Sequence, residues 1–268
     1  MDATNGGRKT ERGLGLALSV DENTIMSTAE AAEAAGYASF WVNNPPGGDA
    51  LAVLGGVARR TTRVHLGVGV IPLSHNSPQE IAVGVREQEV PRERLYLGIG
   101  SGSGSHGVQR VEDAIRVLEP ELHGSIVVAA LGPRMCRLAG RTADGVLLNW
   151  LTPAYARESV RRIEESAHTA KLSTPRLMVY VRVALGKAAG DRLREEADRY
   201  SAISHYATHF ERMGAAAVDT GIIGETAADI QRGLSAWDGI VDEVVMRAIT
   251  ANDEPEEIRE LLEAATPR

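Results

Sequence analysis

Residues 95–107 read LYLGIGSGSGSHG, an apolar run that passes straight into glycines at 98, 100, 102, 104 and 107. Glycine lets backbone approach a ligand closely, and loops of this kind often cradle a phosphate. A dinucleotide-binding sheet places such a loop after its first strand, spaced G-x-G-x-x-G, with an acidic residue ending the next strand. Counted from Gly98, the third glycine falls on Ser103; counted from Gly102 it falls on Gly107, but that frame opens after the strand has ended. The next apolar run, SIVVAAL at 125–131, ends without a carboxylate. The same gap tells against an S-adenosylmethionine methyltransferase. A tight strand-to-helix turn is the plain reading. The repeated Gly-Ser pair favours a site, because such backbone stays loose until a ligand or packing fixes it.

The runs on either side decide the fold. Strand candidates lie at 14–20, 38–44, 64–71, 94–100, 125–131, 144–150, 177–185 and 242–249. They are short, continuously apolar and rich in Val, Ile and Leu, as strands covered on both faces are. Helical patterns separate them. NTIMSTAEAAEAAG has Asp21 before it as a cap and Gly36 closing it, and SPQEIAVGVREQEV opens with Ser77 as cap and Pro78 at the first helical position. Two helical stretches, 190–213 and 225–236, precede the eighth strand, and EPEEIRELLEAA ends the chain. Eight strand–helix units in roughly 250 residues predict an α/β fold of the (β/α)8 TIM-barrel type rather than a doubly wound sheet. No Pro/Ser-rich linker divides the chain, so residues 14–268 are expected to form one domain behind a flexible lead-in, 1–13.

Composition agrees with a globular protein: 268 residues, 43% hydrophobic and 24% charged. A net charge of −7 argues against a nucleic-acid surface while leaving room for a local basic site for an anionic cofactor. One cysteine, Cys136, allows no disulfide within the chain. No run nears the ~20 apolar residues of a membrane helix, and MDATNGGRKTERG lacks a signal peptide's apolar segment. The expectation is a cytoplasmic protein with a small-molecule substrate and neither nucleic-acid nor membrane partner.

In a barrel the ligand meets the C-terminal strand ends. Those are Ser19, Asn43–Asn44, Gly69–Pro72, Ser101–Gly104, Gly132–Arg134, Asn149–Trp150 and Arg247. Arg182, mid-strand, reads either as a mouth residue or as one half of an ion pair inside the barrel. Trp41 and Trp150 could stack on a ring or simply fill the core. His75 and His106 sit in loops on the same face, where a proton donor and a surface histidine look alike. His205 and His209 have a helical spacing that can bind metal, but no third ligand is evident, and no metal is expected. Cys136 reads as a small core residue.

Several segments together resemble the luciferase-like monooxygenase family, in particular its coenzyme F420-dependent branch. They are AAEAAGYASFWVNN, LGVGVIPLSHNSPQEIA, ERLYLGIGSGSG, VVAALGPRMCRLAGRTADGVLLNW and IIGETAADIQRGLSAW followed by VDEVVMRAI. The resemblance runs from about Leu14 to Ala264 and implies the same barrel. It implies a non-proline cis peptide at Gly69–Val70, backing a flavin or deazaflavin ring. It implies cofactor tail and phosphate contacts at Ser101, Gly102, Ser103 and Gly104 and at the turn Gly132, Pro133, Arg134 and Met135. Pro133 suits a first helical position and the N–H groups behind it attract an anion.

Two departures from the family pattern follow. Where many F420 enzymes carry an acid and a histidine, this chain has Asn43 and Asn44. Asparagine can hydrogen-bond a ring or substrate but cannot carry a proton near pH 7. Asn43 is therefore expected at the cofactor, and Asn44 and His75 at the chemistry. The barrel is also compact, lacking the usual insertion between the fourth helix and fifth strand, which elsewhere helps roof the site. The resemblance implies hydride transfer with F420 on a small organic substrate by a homodimer. FMN-dependent monooxygenation and a non-catalytic cofactor-binding homologue are the alternatives.

Overall fold

The computed structural model describes residues 10–124 and 126–267. The first half runs β1 (Glu11–Leu16), α1 (Glu22–Ala34), β2 (Ser39–Val42), α2 (Ala50–Arg60), β3 (His65–Pro72), α3 (Pro78–Glu87), β4 (Leu95–Gly100) and α4 (Gly107–Leu122). It continues with β5 (Ile126–Ala130), α5 (Pro133–Thr142), β6 (Gly145–Asn149), α6 (Pro153–Thr169), β7 (Arg176–Leu185), α7 (Lys187–Ser201) and α8 (Ser204–Met213). The chain closes with β8 (Ile222–Gly224), α9 (Ala227–Ser235), β9 (Glu243–Ile249) and α10 (Pro255–Ala264).

All strand pairings are parallel. Neighbours follow the order β1 to β7, and β9 pairs with both β7 and β1, which closes an eight-stranded barrel. The expected (β/α)8 architecture is therefore present, and α4 passes to β5 across residues 123–125 alone. Asp21 caps α1 by accepting from Thr24 N, and Ser77 and Glu80 form a reciprocal capping box on α3.

Three details differ from the sequence expectations. The first strand is Glu11–Leu16 rather than 14–20, because Ala17–Val20 turn toward α1 with Val20 N donating to Ala17 O. Residues 10–13 thus belong to the barrel and not to a lead-in; residues 1–9 lie outside the described residues. The stretch 190–213 is two helices, parted where Ile203 turns extended. A ninth strand, β8, adds to the top of β7 at Val183–Leu185, beyond the segment that pairs with β6.

The barrel interior is filled by Trp41, Val127, Leu147, Met178, Tyr180 and Val245, while a larger apolar layer lies between strands and helices. The Trp41 ring fills the space beside Gly67, where a Cβ would fall 2.0 Å from a ring carbon. The N-terminal end is plugged by charge. Glu243, fully buried, accepts from Ser39 Oγ and from Arg176 Nη2 (2.9 Å), and Arg176 also reaches Glu11. Trp41 Nε1 donates to Ser39 Oγ at 2.6 Å, tying the plug to the interior above it.

Candidate functional site

The opposite, C-terminal mouth is where the barrel is open. Gly69, Val70, Ala129 and Asn149 are half-exposed there. Beneath them lie Trp41, Leu147 and Tyr180, all within 3.7 Å of a Cβ placed on Gly69. The Gly69–Val70 peptide is cis, as the resemblance implies, and the β3–β4 register shifts between Val68 and Ile71.

The amides at the end of β2 are occupied on their oxygen side. Asn43 Oδ1 accepts from Leu18 N (2.7 Å), holding the turn after β1, and Asn44 Oδ1 accepts from Ala50 N (2.9 Å) at the start of α2. Their NH2 groups face no described hydrogen-bond partner. His75 stands exposed in the loop after β3, two residues before α3 begins with its Ser77 cap.

The Gly-Ser loop is fixed by a residue that the sequence did not single out. Arg110, one turn into α4, donates to the carbonyls of Ser101 (2.7 Å), Ser103 (3.1 Å) and Ser105 (3.0 Å). Ser103 N donates to Ser74 Oγ at 3.3 Å. Gly102 has φ +66°, and a Cβ there would fall 2.1 Å from Ser74 Oγ. The loop is thereby pulled toward the start of α4. Neither His106 before α4 nor Gly132 before α5 caps its helix through a side chain.

Two uncapped helix starts therefore lie side by side, each with unpaired N–H groups and the positive end of its helix dipole. Between them is a cavity of about 550 Å³ lined by His106, Gly107, Val108, Gln109, Arg134, Arg137 and Arg141. Arg212 of α8 approaches from the other side, its Nη1 3.7 Å from a Cβ placed on Gly132. Of the predicted turn, Gly132 and Pro133 shape the helix start and Arg134 reaches the cavity. Met135 instead packs toward the apolar layer.

The β6–β7–β9 side of the mouth is roofed. Arg182 is the inner half of an ion pair, its Nε donating to Glu196 Oε1 of α7 (2.9 Å) and its Nη1 to Asn149 Oδ1 (2.5 Å). Its guanidinium lies 3.6 Å from the Trp150 ring centroid. Burial pushes the Glu196 carboxyl up, but Arg182 and Arg247 together hold it below the ordinary glutamate range. Tyr180 OH is buried without a partner, and burial raises its pKa. Trp41 and Trp150 are core residues. Arg247, nearly buried, donates to the Ala248 carbonyl. His209 holds the Trp150 carbonyl through Nε2 (2.8 Å), while the His205 ring lies against Tyr206. Among the described residues no cluster of three metal-ligating side chains forms. Cys136 is buried, which pushes its thiol up to about 11.

The model of the luciferase-like monooxygenase family matches residues 9–113 and 101–266. The chain belongs to this family. No curated protein sequence matches it. Among solved structures, an F420-dependent secondary alcohol dehydrogenase in complex with an F420-acetone adduct is similar at 15% identity and TM-score 0.76, over 97% of this chain and 100% of that one. The coenzyme F420-dependent tetrahydromethanopterin reductase of Methanopyrus kandleri is similar at 16% identity and TM-score 0.71, over 95% and 97%. The oxygenating constituent of 3,6-diketocamphane monooxygenase from Pseudomonas putida, in complex with FMN, is similar at 14% and 0.72, over 96% and 97%. These likenesses show a shared fold.

In this luciferase-like barrel, the sequence-predicted residues fall into two groups. Gly69, Val70, Asn43 and Asn44 gather at the mouth, and Ser101–Gly104, Gly132, Pro133 and Arg134 gather around the helix starts beside it. Arg110, Arg137, Arg141, Arg212 and Glu196 were not singled out in the sequence. The helical spacing of 134, 137 and 141 is the one signal that could have found any of them. No helix of the described residues is long and apolar enough to cross a membrane.

Proposed function

We propose that the chain is an F420-dependent oxidoreductase that moves a hydride to or from a small organic substrate at the barrel mouth, working as a cytoplasmic homodimer. The observation that carries this reading is the cation-lined cavity where α4 and α5 begin. It offers a phosphate the N–H groups of Gly107, Val108 and Gln109 and the guanidinium of Arg134. The half-exposed rim of Gly69, Val70 and Ala129, at the same C-terminal end of the barrel, leaves an apolar ledge for a flat ring. The residues thus fit a phosphate-bearing deazaflavin.

The bound deazaflavin would supply the two-electron hydride carrier, and the protein supplies orientation and partial exclusion of water. The Asn43 and Asn44 NH2 groups donate hydrogen bonds to ring or substrate oxygens. Neither can carry a proton, so a substrate that gains or loses one exchanges it with His75 at the rim. Arg134 and the N–H groups at the helix starts would hold the phosphate of such a cofactor.

Fluorescence titration with F420 and separately with FMN, repeated with Arg134→Ala, tests the reading. Micromolar binding of F420, weakened about tenfold in the variant, supports it, since a charge-assisted contact of ~1.5 kcal/mol is lost. Binding of FMN alone moves the chain to the monooxygenase chemistry. Binding of neither leaves a barrel without this cofactor and overturns the enzymatic reading.

A further inference from the structure

Another cation stands at the barrel mouth, on the wall opposite the α4–α5 cavity. Along β9 the side chains of Glu243 and Val245 face the barrel interior, and the alternation of a strand puts Arg247 on that same face at the mouth. β9 lies across the closed barrel from β4. Arg247 is 9% exposed, so unlike an arginine on a helix surface it has lost most of its hydration. A cation so placed is normally paired. Among the described residues no ion pair engages Arg247, and its hydrogen bond to the carbonyl of its neighbour Ala248 leaves most of its guanidinium N–H groups open. The carboxylates within its electrostatic reach are committed elsewhere. Glu196 accepts from Arg182 (2.9 Å), and Asp253 accepts from both terminal nitrogens of Arg192 (2.7 and 2.6 Å).

An unsatisfied hydroxyl lies beside it. Tyr180 is 6% exposed, and its buried OH meets no partner. A Cβ placed on Gly15 would fall 2.9 Å from that oxygen, and Gly15 is the residue of β1 in register with both Arg247 and Trp41. With glycine at this position β1 puts no side chain into the corner. Of the charged groups that act on the Tyr180 hydroxyl, Arg247 acts most strongly. Buried donors normally find an acceptor, and one acceptor group in this corner serves both.

We infer that the small organic substrate carries a carboxylate, which Arg247 binds at the β9–β1 corner of the mouth with Tyr180 OH as a second donor. This rests on the proposed function and names its substrate class. Glu196 and Asp253 offset part of the field of Arg247, so the corner suits a single negative charge better than the two of a phosphate. The two anion sites stand on opposite walls, so a cofactor phosphate and a substrate carboxylate do not compete for one place.

The test titrates benzoate and its neutral isostere benzamide, by ligand-observed NMR, into the wild type, Arg247→Met and Tyr180→Phe. Each protein is first checked for a cooperative unfolding transition. The wild type should prefer benzoate by about tenfold or more, because a charge-assisted hydrogen bond separates the two probes. The preference should vanish in Arg247→Met and shrink about threefold in Tyr180→Phe, which loses one neutral donor. Should Arg247→Met not fold, Tyr180→Phe decides alone, since its hydroxyl has no partner to lose. A wild type without the preference, or a preference that survives in Arg247→Met, overturns the inference. A preference lost in Arg247→Met but unchanged in Tyr180→Phe removes the hydroxyl from the site. F420 binding is read separately on the wild type. F420 binding without a benzoate preference leaves the proposed function standing and removes this substrate class. An Arg247-dependent preference without F420 binding keeps the acid-binding corner and removes the hydride-transfer reading.

Discussion

Arg182 lies flat against Trp150, its guanidinium carbon 3.6 Å from the ring centroid, and from that position it grips Glu196 of α7. One residue of β7 thereby locks the roof helix to the strand ends of the barrel. Both partners are largely buried, with side-chain exposures of 5% and 17%. Removing one partner of such a pair leaves the other charge uncompensated.

Arg182→Met should therefore cost about 3 kcal/mol, measured by denaturant or thermal unfolding at neutral pH. Adding Glu196→Gln should recover part of that loss, because no bare carboxylate then remains buried. The pH dependence has a definite sign. Glu196 is held below its ordinary value in the folded state, so the pair's contribution is fully present above the unfolded glutamate pKa of about 4.3 and is lost as pH falls through the lower folded value. The stability gap between wild type and Arg182→Met should be widest near neutrality and narrow in acid. A gap constant down to acid pH would show that the loss is one of packing on Trp150.

Arg110→Met removes three charged hydrogen bonds to loop carbonyls while leaving α4 intact. Amide exchange across 101–105 should quicken by roughly tenfold or more, since about 1.5 kcal/mol or more of charged hydrogen bonding is lost. The melting temperature should move little. Unchanged exchange would mean that Ser74 and backbone geometry fix the loop without the arginine.

Gly102→Ala tests the backbone of the same loop. The new methyl meets Ser74 Oγ, and φ +66° is disfavoured for any residue with a Cβ. A cost of about 1–3 kcal/mol is expected in the unfolding transition. The double variant with Ser74→Ala should recover little, because the Cβ of residue 74 still lies 2.7 Å and its backbone N 3.0 Å from the added methyl, and the conformational penalty remains.

Arg176→Met at the other end of the barrel strips the cation from Glu243, which is fully buried. Destabilisation of about 3–5 kcal/mol is expected. Ligand binding at the mouth should stay within about twofold of wild type at temperatures where the variant is folded, because a barrel separates stability at its N-terminal end from chemistry at its C-terminal end. A large change in ligand affinity would break that division.

The eight barrel strands were legible because strands covered on both faces leave continuous apolar runs, and their order was enough to choose the barrel over the doubly wound sheet. The start of β1 was not, since Glu11 and Arg12 are charged for reasons found only in the fold. Glu11 meets Arg176, and Arg12 donates to Gln231 Oε1 (2.7 Å) and to the Ala265 carbonyl (2.9 Å). β8 is a three-residue strand, too short for any periodicity, and exists because β7 outreaches β6. At the site, glycines and the α5 turn could be read from local backbone chemistry. Arg110 and Glu196 could not, because each acts on a segment that only tertiary structure brings near. Arg182 was read with its ion pair as one of two options, and the fold supplies the partner.

The short connections on one side of the mouth have a kinetic meaning as well as an architectural one. On the β6–β7–β9 side, α7 and α8 form a wall pinned by Arg182 and His209. On the β4–β5 side the chain passes from β4 to α4 over residues 101–106, which Arg110 ties down, and from β5 to α5 over residues 131–132, so neither connection folds over the mouth. A ligand seated on the ledge of Gly69, Val70 and Ala129 in a single chain can thus leave without any segment first swinging aside. Its residence time is then set by the contacts it makes, above all with arginines, rather than by the rate of an opening step.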